Sequence, residues 1–156
     1  MSTTKPTKGA GTSFWRLNTG TDIASIVDFT EDTLWTQIAQ VKDIQPGEIT
    51  VEDEEEEYLD TADNDYNSTT PGKKDAGETS LTIAWMPGDA SQKQLVTDVD
   101  DGTKTWYRIK YPNAAVDCYF GYINSLGKSI AIKDKMQRSI KIKNCNKPKL
   151  AEDLLA

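Results

Sequence analysis

The chain has 156 residues, a formal net charge of -7, two cysteines and no histidine. This length suits one domain that buries roughly two thirds of the surface of its unfolded chain. The lack of histidine removes the commonest general base and the commonest metal ligand, and no stretch approaches the ~20 apolar residues of a membrane span. Because residues 1–12 also lack the apolar core of a signal peptide, we expect a soluble protein made inside a cell, without a membrane anchor.

The chain opens with a polar segment, residues 1–13, which we interpret as a flexible N-terminal arm because it is rich in threonine, lysine and glycine. A first short strand is predicted next from three apolar residues, Phe14, Trp15 and Leu17. Residues 18–33 resemble a loop, and residues 34–44 are predicted as a second strand from their Trp, Ile, Val and Thr content. The run Gln45-Pro-Gly-Glu48 predicts a turn, from which a strand would pair back in a hairpin.

Six consecutive acids follow this turn: Glu52, Asp53, Glu54, Glu55, Glu56 and Glu57. They cannot lie in a buried sheet centre without strong repulsion, so we predict a long loop over residues 52–76. Consecutive acids on an extended chain point to opposite sides and lack the alternation and central glycine of a calcium loop. A solvated rim and a functional negative surface both remain open, and the apolar Tyr58, Leu59 and Tyr66 favour a loop that orders against another surface.

The clearest local signal is a strand that hands over to a helix at residues 78–102. Alternating residues Leu81, Ile83 and Trp85 predict a half-buried strand that Pro87 ends. Asp89 and Gln92 have the spacing of a capping box, and Gly102 is the expected helix end. The predicted apolar stripe of this helix is Leu95, Val96 and Val99.

The last third of the chain is read as further strands. Residues 103–111 alternate, with Tyr107, Ile109 and Tyr111 opposing Trp106, Arg108 and Lys110, and the turn at Pro112 leads to a paired strand over residues 115–123. We predict another turn at Leu126-Gly127, then strands over 129–133 and 137–143. The inward residues of these strands are Ile130, Ile132, Ile140 and Ile142, with Lys141 and Lys143 outward. From Asn144 the chain has no pattern, and residues 146–156 are interpreted as a C-terminal arm.

About seven strands and one helix therefore predict a mainly β fold, a β-sandwich or partly closed barrel with one flanking α-helix. We place its domain at residues 14–145. Cys118 and Cys145 are expected as two reduced thiols.

The charges divide unevenly along the chain. Residues 1–76 hold 6 Lys/Arg and 16 Asp/Glu, a net of -10, whereas residues 77–156 hold 12 and 9, a net of +3. Residues 128–149 alone carry eight Lys/Arg against the single acid Asp134. A basic strand pair can bind nucleic acid, but this segment has no interleaved aromatic residue, so a solvated sheet face or a subunit contact is preferred. We found no nucleophile with a base and no phosphate loop, so we predict no catalytic residue, cofactor or metal site.

Several collinear blocks carry a family resemblance. They are Lys8-Gly-Ala-Gly-Thr12, Ala39-Gln-Val-Lys-Asp-Ile-Gln-Pro-Gly-Glu-Ile-Thr50, Tyr58-Leu-Asp60, Ala76-Gly-Glu-Thr-Ser-Leu-Thr-Ile-Ala-Trp-Met-Pro-Gly88, Tyr111-Pro-Asn113, Val116-Asp117, Gly121, Gly127-Lys128, Lys147-Pro148 and Ala151-Glu-Asp153. With these blocks the chain resembles the major tail tube proteins of lambda-like, long-tailed, non-contractile phages. Two features depart from the family: the chain ends without the immunoglobulin-like domain of the lambda tail, and its acidic run is denser.

The resemblance implies a structural, non-enzymatic virion protein that assembles in the host cytoplasm. Its copies would form hexameric rings that stack around a tape-measure protein, between a tail tip and a tail terminator, into a tube through which DNA passes without specific binding. Arms and the long loop would order on assembly. Candidate contacts between subunits or rings are Lys8, Tyr58, Leu59, Tyr66, Lys141, Lys143 and Lys147, and the acids 52–57 would line the lumen or a ring face. The alternatives are another ring-forming tail component, such as a terminator, a secretion-system tube subunit, or an unrelated binding module.

Overall fold

Nine strands and two α-helices are present in the computed structural model, which describes residues 5–21, 23–26, 28–56 and 68–154. The strands are β1 (Ser13–Leu17), β2 (Trp35–Gln37), β3 (Val41–Gln45), β4 (Thr50–Glu56), β5 (Ser68–Asp75), β6 (Glu78–Ala84), β7 (Thr105–Lys110), β8 (Val116–Ser129) and β9 (Gln137–Lys149). The helices are α1 (Ala90–Asp101) and α2 (Ala151–Leu154). Neither helix is long and apolar enough to cross a membrane.

Seven antiparallel strands form one sheet in the order β2-β1-β7-β8-β9-β6-β3, and β4 pairs with β5 in a separate two-stranded ribbon. β2 and β3 are neighbours in sequence but lie at opposite edges of the sheet. The short link between them joins the two edges, since the Ile38 amide donates to Phe14 O at 2.8 Å and the Ala84 amide donates to Gln40 O at 3.0 Å. The sheet therefore curls into a partly closed barrel, which confirms the predicted mainly β fold with a flanking helix.

The same link explains why the single strand predicted over residues 34–44 is wrong. Its two halves pair with different strands, β2 with β1 and β3 with β6. Between them Gln40 adopts a left-handed backbone with φ of 58°. Composition favours extended structure across the whole segment, but only the closure of the sheet determines where the chain changes edges.

The main core lies inside the curled sheet and beneath α1. It gathers alternate residues of the strands as the period-2 pattern predicts: Phe14, Ile38, Leu81, Ile83, Leu95, Tyr107, Ile109, Tyr119, Ile123, Ile140 and Ile142. The inward placement of Ile140 and Ile142 is confirmed, and so are the β7–β8 hairpin and the free thiols of both cysteines. Burial raises the pKa of the Cys118 thiol to about 12.

Helix α1 begins and ends where the sequence predicts. The Asp89 carboxylate accepts from the Gln92 amide at 3.3 Å, and Gly102 closes the helix in the left-handed conformation. The reciprocal half of the capping box is absent here, because the Gln92 side chain bonds the backbone of Met86 and Ala84 instead.

The predicted apolar stripe of α1 is wrong for two of its three residues. Val96 and Val99 are 40% and 37% exposed, and only Leu95 is buried. A polar contact takes their place. The Asp98 carboxylate, which is 2% exposed, accepts two hydrogen bonds from Arg16 of β1, from Nε at 2.6 Å and from Nη2 at 2.7 Å. α1 is thus held on the sheet by one leucine, by a buried ion pair and by the bonds of Gln92.

A second cluster covers the outer face of β1, β2 and β7. Arg108 is its centre: it is fully buried, with its guanidinium 4.6 Å from the Trp15 ring and 5.1 Å from the Trp35 ring. Its Nη2 meets Asp32 Oδ1 at 2.8 Å. Hydrogen bonds from Lys110 and Arg108 hold the pKa of the Asp32 carboxyl below its usual value, although burial opposes them. The loop that holds Asp32 is therefore fastened to the sheet by charge as well as by apolar contact.

Four further predictions need correction. β4 does not pair back on the strand before it but on β5, and strands occupy residues 52–56 and 68–75 of the predicted loop. β8 runs straight through Leu126-Gly127, because its ladder with β9 continues to Ser129. Ile130 and Ile132 do not point inward; they lie in the β8–β9 connection and are 73% and 105% exposed. Finally, the tail has regular structure, since β9 continues to Lys149 and α2 follows.

Candidate assembly surfaces

The acidic run forms one strand of a projecting ribbon. We call β4 and β5 together the acidic ribbon; Glu54 lies opposite Thr70 and Glu55 opposite Thr69. The side chains of Glu52 to Glu55 are all exposed, and successive residues of a strand point to opposite faces, so β4 places acids on both faces of the ribbon. Its partner β5 adds two exposed cations, Lys73 and Lys74. Glu56 ends β4, and Glu57 lies outside the described residues. An isolated two-stranded ribbon is marginal in water, so this one needs a support beyond its own ladder.

The root of the ribbon is held by a buried amide. The side-chain amide of Asn144 in β9 donates to Ala76 O at 3.1 Å, and the residue is 5% exposed. The backbone amide of Asn144 donates to Gly77 O at 3.0 Å. In the segment that leads into β4, the Gly47 amide donates to Thr79 Oγ1 at 3.2 Å. A Cβ at Gly47 would lie 2.5 Å from Ala76 O and would also clash with Asn144, so the two ribbon strands leave the sheet in contact.

The predicted lysines of β9 take different positions. Lys141 is exposed on the sheet, and Lys147 is exposed farther along β9. Lys143 lies 3.6 Å from Asp75 Oδ1 at the ribbon root. The Gly77 amide and then the Lys143 charge hold the pKa of the Asp75 carboxyl below its usual value. The structure therefore brings Lys143 to the acidic ribbon and leaves Lys141 and Lys147 apart from it.

Lys8 lies in the segment before β1, which flanks a groove beside β3. The groove has a volume of about 560 Å³ and is lined by this segment, β3 and the end of β7, with Lys5, Lys8 and Lys42 among its residues. Lys8 is exposed. The three apolar contact candidates, Tyr58, Leu59 and Tyr66, lie outside the described residues.

The C-terminal segment docks on the sheet through Asp117. The Asp117 carboxylate accepts from the Tyr111 hydroxyl at 2.5 Å and from the Ala151 amide at 2.7 Å. Burial and the Asp117 charge raise the pKa of Tyr111, so its hydroxyl remains a donor. Leu150 and Leu154 then pack against the two apolar clusters.

A second projecting surface lies at the opposite end of the sheet. We call residues 130–136, which connect β8 to β9, the basic tip; every side chain in it is exposed, including Lys133 and Lys135. Beside it is a pocket of about 270 Å³ lined by Trp85, Pro87, Gln92, Lys93, Val96 and Arg138. No sequence signal separated this surface from a strand, because the alternation of Ile130 and Ile132 is that of a buried strand.

The described residues contain no group of three or more side chains placed to hold a metal ion. These residues form a sheet with two projecting extensions of opposite charge. Such extensions are suited to contact with other protein surfaces.

Comparison with known proteins agrees with this organisation. A family model described as lambda phage tail tube protein matches residues 17–151. A curated protein of similar sequence was not found. Among solved structures, the tail of an empty gene transfer agent particle, refined with C6 symmetry, has a TM-score of 0.67 at 10% identity, covering 93% of this chain and 98% of that one.

Two other solved structures share the fold. The SPP1 tail tube has a TM-score of 0.56 at 18% identity and covers 97% of this chain and 86% of that one. A chain from the sheath/tube terminator structure of an extracellular contractile injection system has a TM-score of 0.66 at 13% identity, covering 93% and 96%.

Proposed function

Because this chain belongs to the lambda phage tail tube protein family, we propose that its copies close into sixfold rings that stack into the tube of a phage tail. The observation that carries the proposal is the family match over residues 17–151, which covers every strand of the curled sheet except the first four residues of β1. The protein is a structural component of the virion tail. The sixfold number is supported by a similar fold in a tail refined with C6 symmetry.

A ring of this kind is held together by heterologous contacts, in which one surface of a copy meets a different surface of the next. The edge strands β2 and β3 leave backbone groups that a neighbouring copy can cover, which would also protect the subunit from uncontrolled edge pairing. The segment before β1, with Lys8, and the chain around Tyr58, Leu59 and Tyr66 remain our proposed contacts between subunits or rings.

The tube conducts DNA without binding it specifically. The net charge of -7 disfavours adhesion of phosphates, and an acidic inner wall would let the genome slide. The tape-measure protein would occupy the lumen before the genome, with a tail tip and a terminator closing the two ends. Rings would form in the host cytoplasm, and no catalytic step is required of any residue.

A terminator or an injection-system tube subunit is the second candidate, since a chain from a contractile injection system also shares the fold. A terminator caps polymers and would give single rings, whereas a tube protein stacks them. The family match favours the tube.

Negative-stain electron microscopy of the purified chain at increasing concentration distinguishes these outcomes. Stacked rings with a central channel are expected. Single rings at every concentration would favour the terminator, and monomers even in the presence of tail-tip complexes would contradict the tube. Salt-sensitive DNA binding by a persistent monomer would instead support an unrelated binding module.

A further inference from the structure

The acidic ribbon and the basic tip lie at opposite ends of one strand ladder. β6 starts at Glu78, opposite Lys143 and directly after the ribbon root, and ends at Ala84, opposite Gln137, where β9 leaves the basic tip. At 3.3 Å per residue these ends are about 20 Å apart. The two projections therefore extend from opposite ends of the β6 ladder, which we call its two poles.

The pole that carries the basic tip is both apolar and positive. Residues 128–138 hold four cations, of which Lys133 and Lys135 are exposed in the tip itself, against the single acid Asp134. Ile130 and Ile132 are 73% and 105% exposed. Two exposed isoleucines on one short connection do not contribute to the core of this subunit, so they are available for contact with another surface.

The adjacent pocket has the same chemistry. Its walls include Trp85 and Val96, and Lys93 and Arg138 supply positive charge. Arg138 Nε is buried and has no hydrogen-bond partner among the described residues. Arg138 as a whole is only half-buried, so its guanidinium can also meet an acceptor from outside the subunit, and a carboxylate would pair with it best.

The opposite pole offers the complementary chemistry. The acidic ribbon exposes Glu54 and Glu55, and beside its acids Ile49 and Val51 are 44% and 40% exposed. β4, with seven residues, is about 20 Å long and can reach well beyond the sheet. Exposed acids next to exposed aliphatic side chains match the cations and isoleucines of the basic tip.

From these four observations we propose that the basic tip and its pocket in one copy dock on the acidic ribbon of a copy in the next ring. The contact is heterologous and joins opposite poles, so its repetition stacks rings in one direction. This inference rests on the proposed tube function and assigns the ribbon to the ring face instead of the lumen.

A charge exchange tests the contact. Lys133→Glu with Lys135→Glu reverses the tip, and Glu54→Lys with Glu55→Lys reverses the ribbon. Each pair should raise the critical concentration for tube formation at least about tenfold, measured by sedimentation and electron microscopy, because attraction becomes repulsion. The chain with all four changes should return to within about threefold of wild type, since the charges again oppose.

A matched control changes net charge equally at side chains that belong to neither the tip nor the ribbon. Lys104 and Lys149 are exposed, and Lys104→Glu with Lys149→Glu should leave the critical concentration unchanged. Thermal unfolding of every subunit is measured first. Should a charge variant fail to fold, Ile130→Ser with Ile132→Ser replaces it, because both side chains are exposed and their loss should still weaken stacking.

The outcomes separate the inference from the proposed function. A wild-type chain that forms no polymer, with or without tail-tip complexes, overturns both. Tubes that form equally well from wild type and from the tip-reversed chain overturn only the docking contact. The contact is also overturned if the fourfold variant is not rescued, or if tip reversal removes DNA binding and leaves stacking intact.

Discussion

The buried pair between Arg16 and Asp98 gives the sharpest test of how α1 is held on the sheet. We consider Asp98→Asn, which keeps the shape of the side chain and removes its charge. Arg16 is 5% exposed and Asp98 2%, and Arg16 Nη1 also donates to Leu17 O at 2.6 Å. In this variant the guanidinium would remain buried with an amide oxygen and a backbone oxygen as acceptors and with no counter-charge.

Removing one partner of a buried pair costs about 3–5 kcal/mol, because the remaining charge is neither solvated nor neutralised. For a chain of this length each kcal/mol corresponds to roughly 2–4 °C in melting temperature. We therefore expect Asp98→Asn to lower the melting temperature by roughly 10 °C and to shift the urea midpoint without a change in slope. Arg16→Met with Asp98→Leu should recover most of this loss, since no charge is then left unpaired.

The control is Asp75→Asn, which removes the carboxylate facing Lys143 at 3.6 Å. Both of these side chains are more than a third exposed, so the pair is screened by water and its loss should leave the free energy of unfolding almost unchanged. The two variants are compared by urea unfolding of the free subunit. If Asp98→Asn costs no more than Asp75→Asn, the buried pair does not hold the helix on the sheet and our account of it is wrong.

Four further outcomes are expected. Asn144→Ala should cost about 1–3 kcal/mol and speed amide exchange in the acidic ribbon, because the buried backbone groups at the ribbon root lose their partner; unchanged exchange would show that the root does not hold the ribbon. At pH 8 a thiol reagent should add once to the folded chain, at Cys145, because Cys118 is buried with its pKa raised to about 12; two adducts by mass spectrometry would contradict this. Burial likewise raises the pKa of Tyr119 to about 12, so stability should be constant between about pH 6 and 8 and fall from there towards pH 12, since the unfolded chain loses these protons first; a melting temperature that does not fall from pH 8 towards pH 12 would refute it. Removal of residues 1–8 should weaken ring stacking while the subunit still folds, and normal tubes from the shortened chain would show that the arm is dispensable.

Several elements were predictable because their causes are local. The alternation of Leu81 and Ile83 marks a strand whatever it pairs with, and Asp89 and Gly102 mark a helix by satisfying its own terminal groups. The turn after Tyr111 was predictable from Pro112 within it, because proline itself favours a turn. The family resemblance, which the family model confirms, likewise needed only blocks of sequence in order.

The acidic ribbon shows why other elements were missed. Both of its faces are solvated, so its strands carry no alternation of apolar and polar residues and read as a loop. The opposite error occurred at Ile130 and Ile132, whose alternation has the period of a buried strand although no described layer of the subunit covers them.

The sequence by itself determined the class of fold, the family and the faces of most strands, because these depend on periodicity and on motifs within a few residues. Only the tertiary structure decided that β2 and β3 lie at opposite edges, that Arg16 meets Asp98 across 82 positions, and that the ribbon and the tip project from opposite poles. Each of these depends on which distant segments pair, and pairing is set by the closure of the whole sheet instead of by any one stretch of chain.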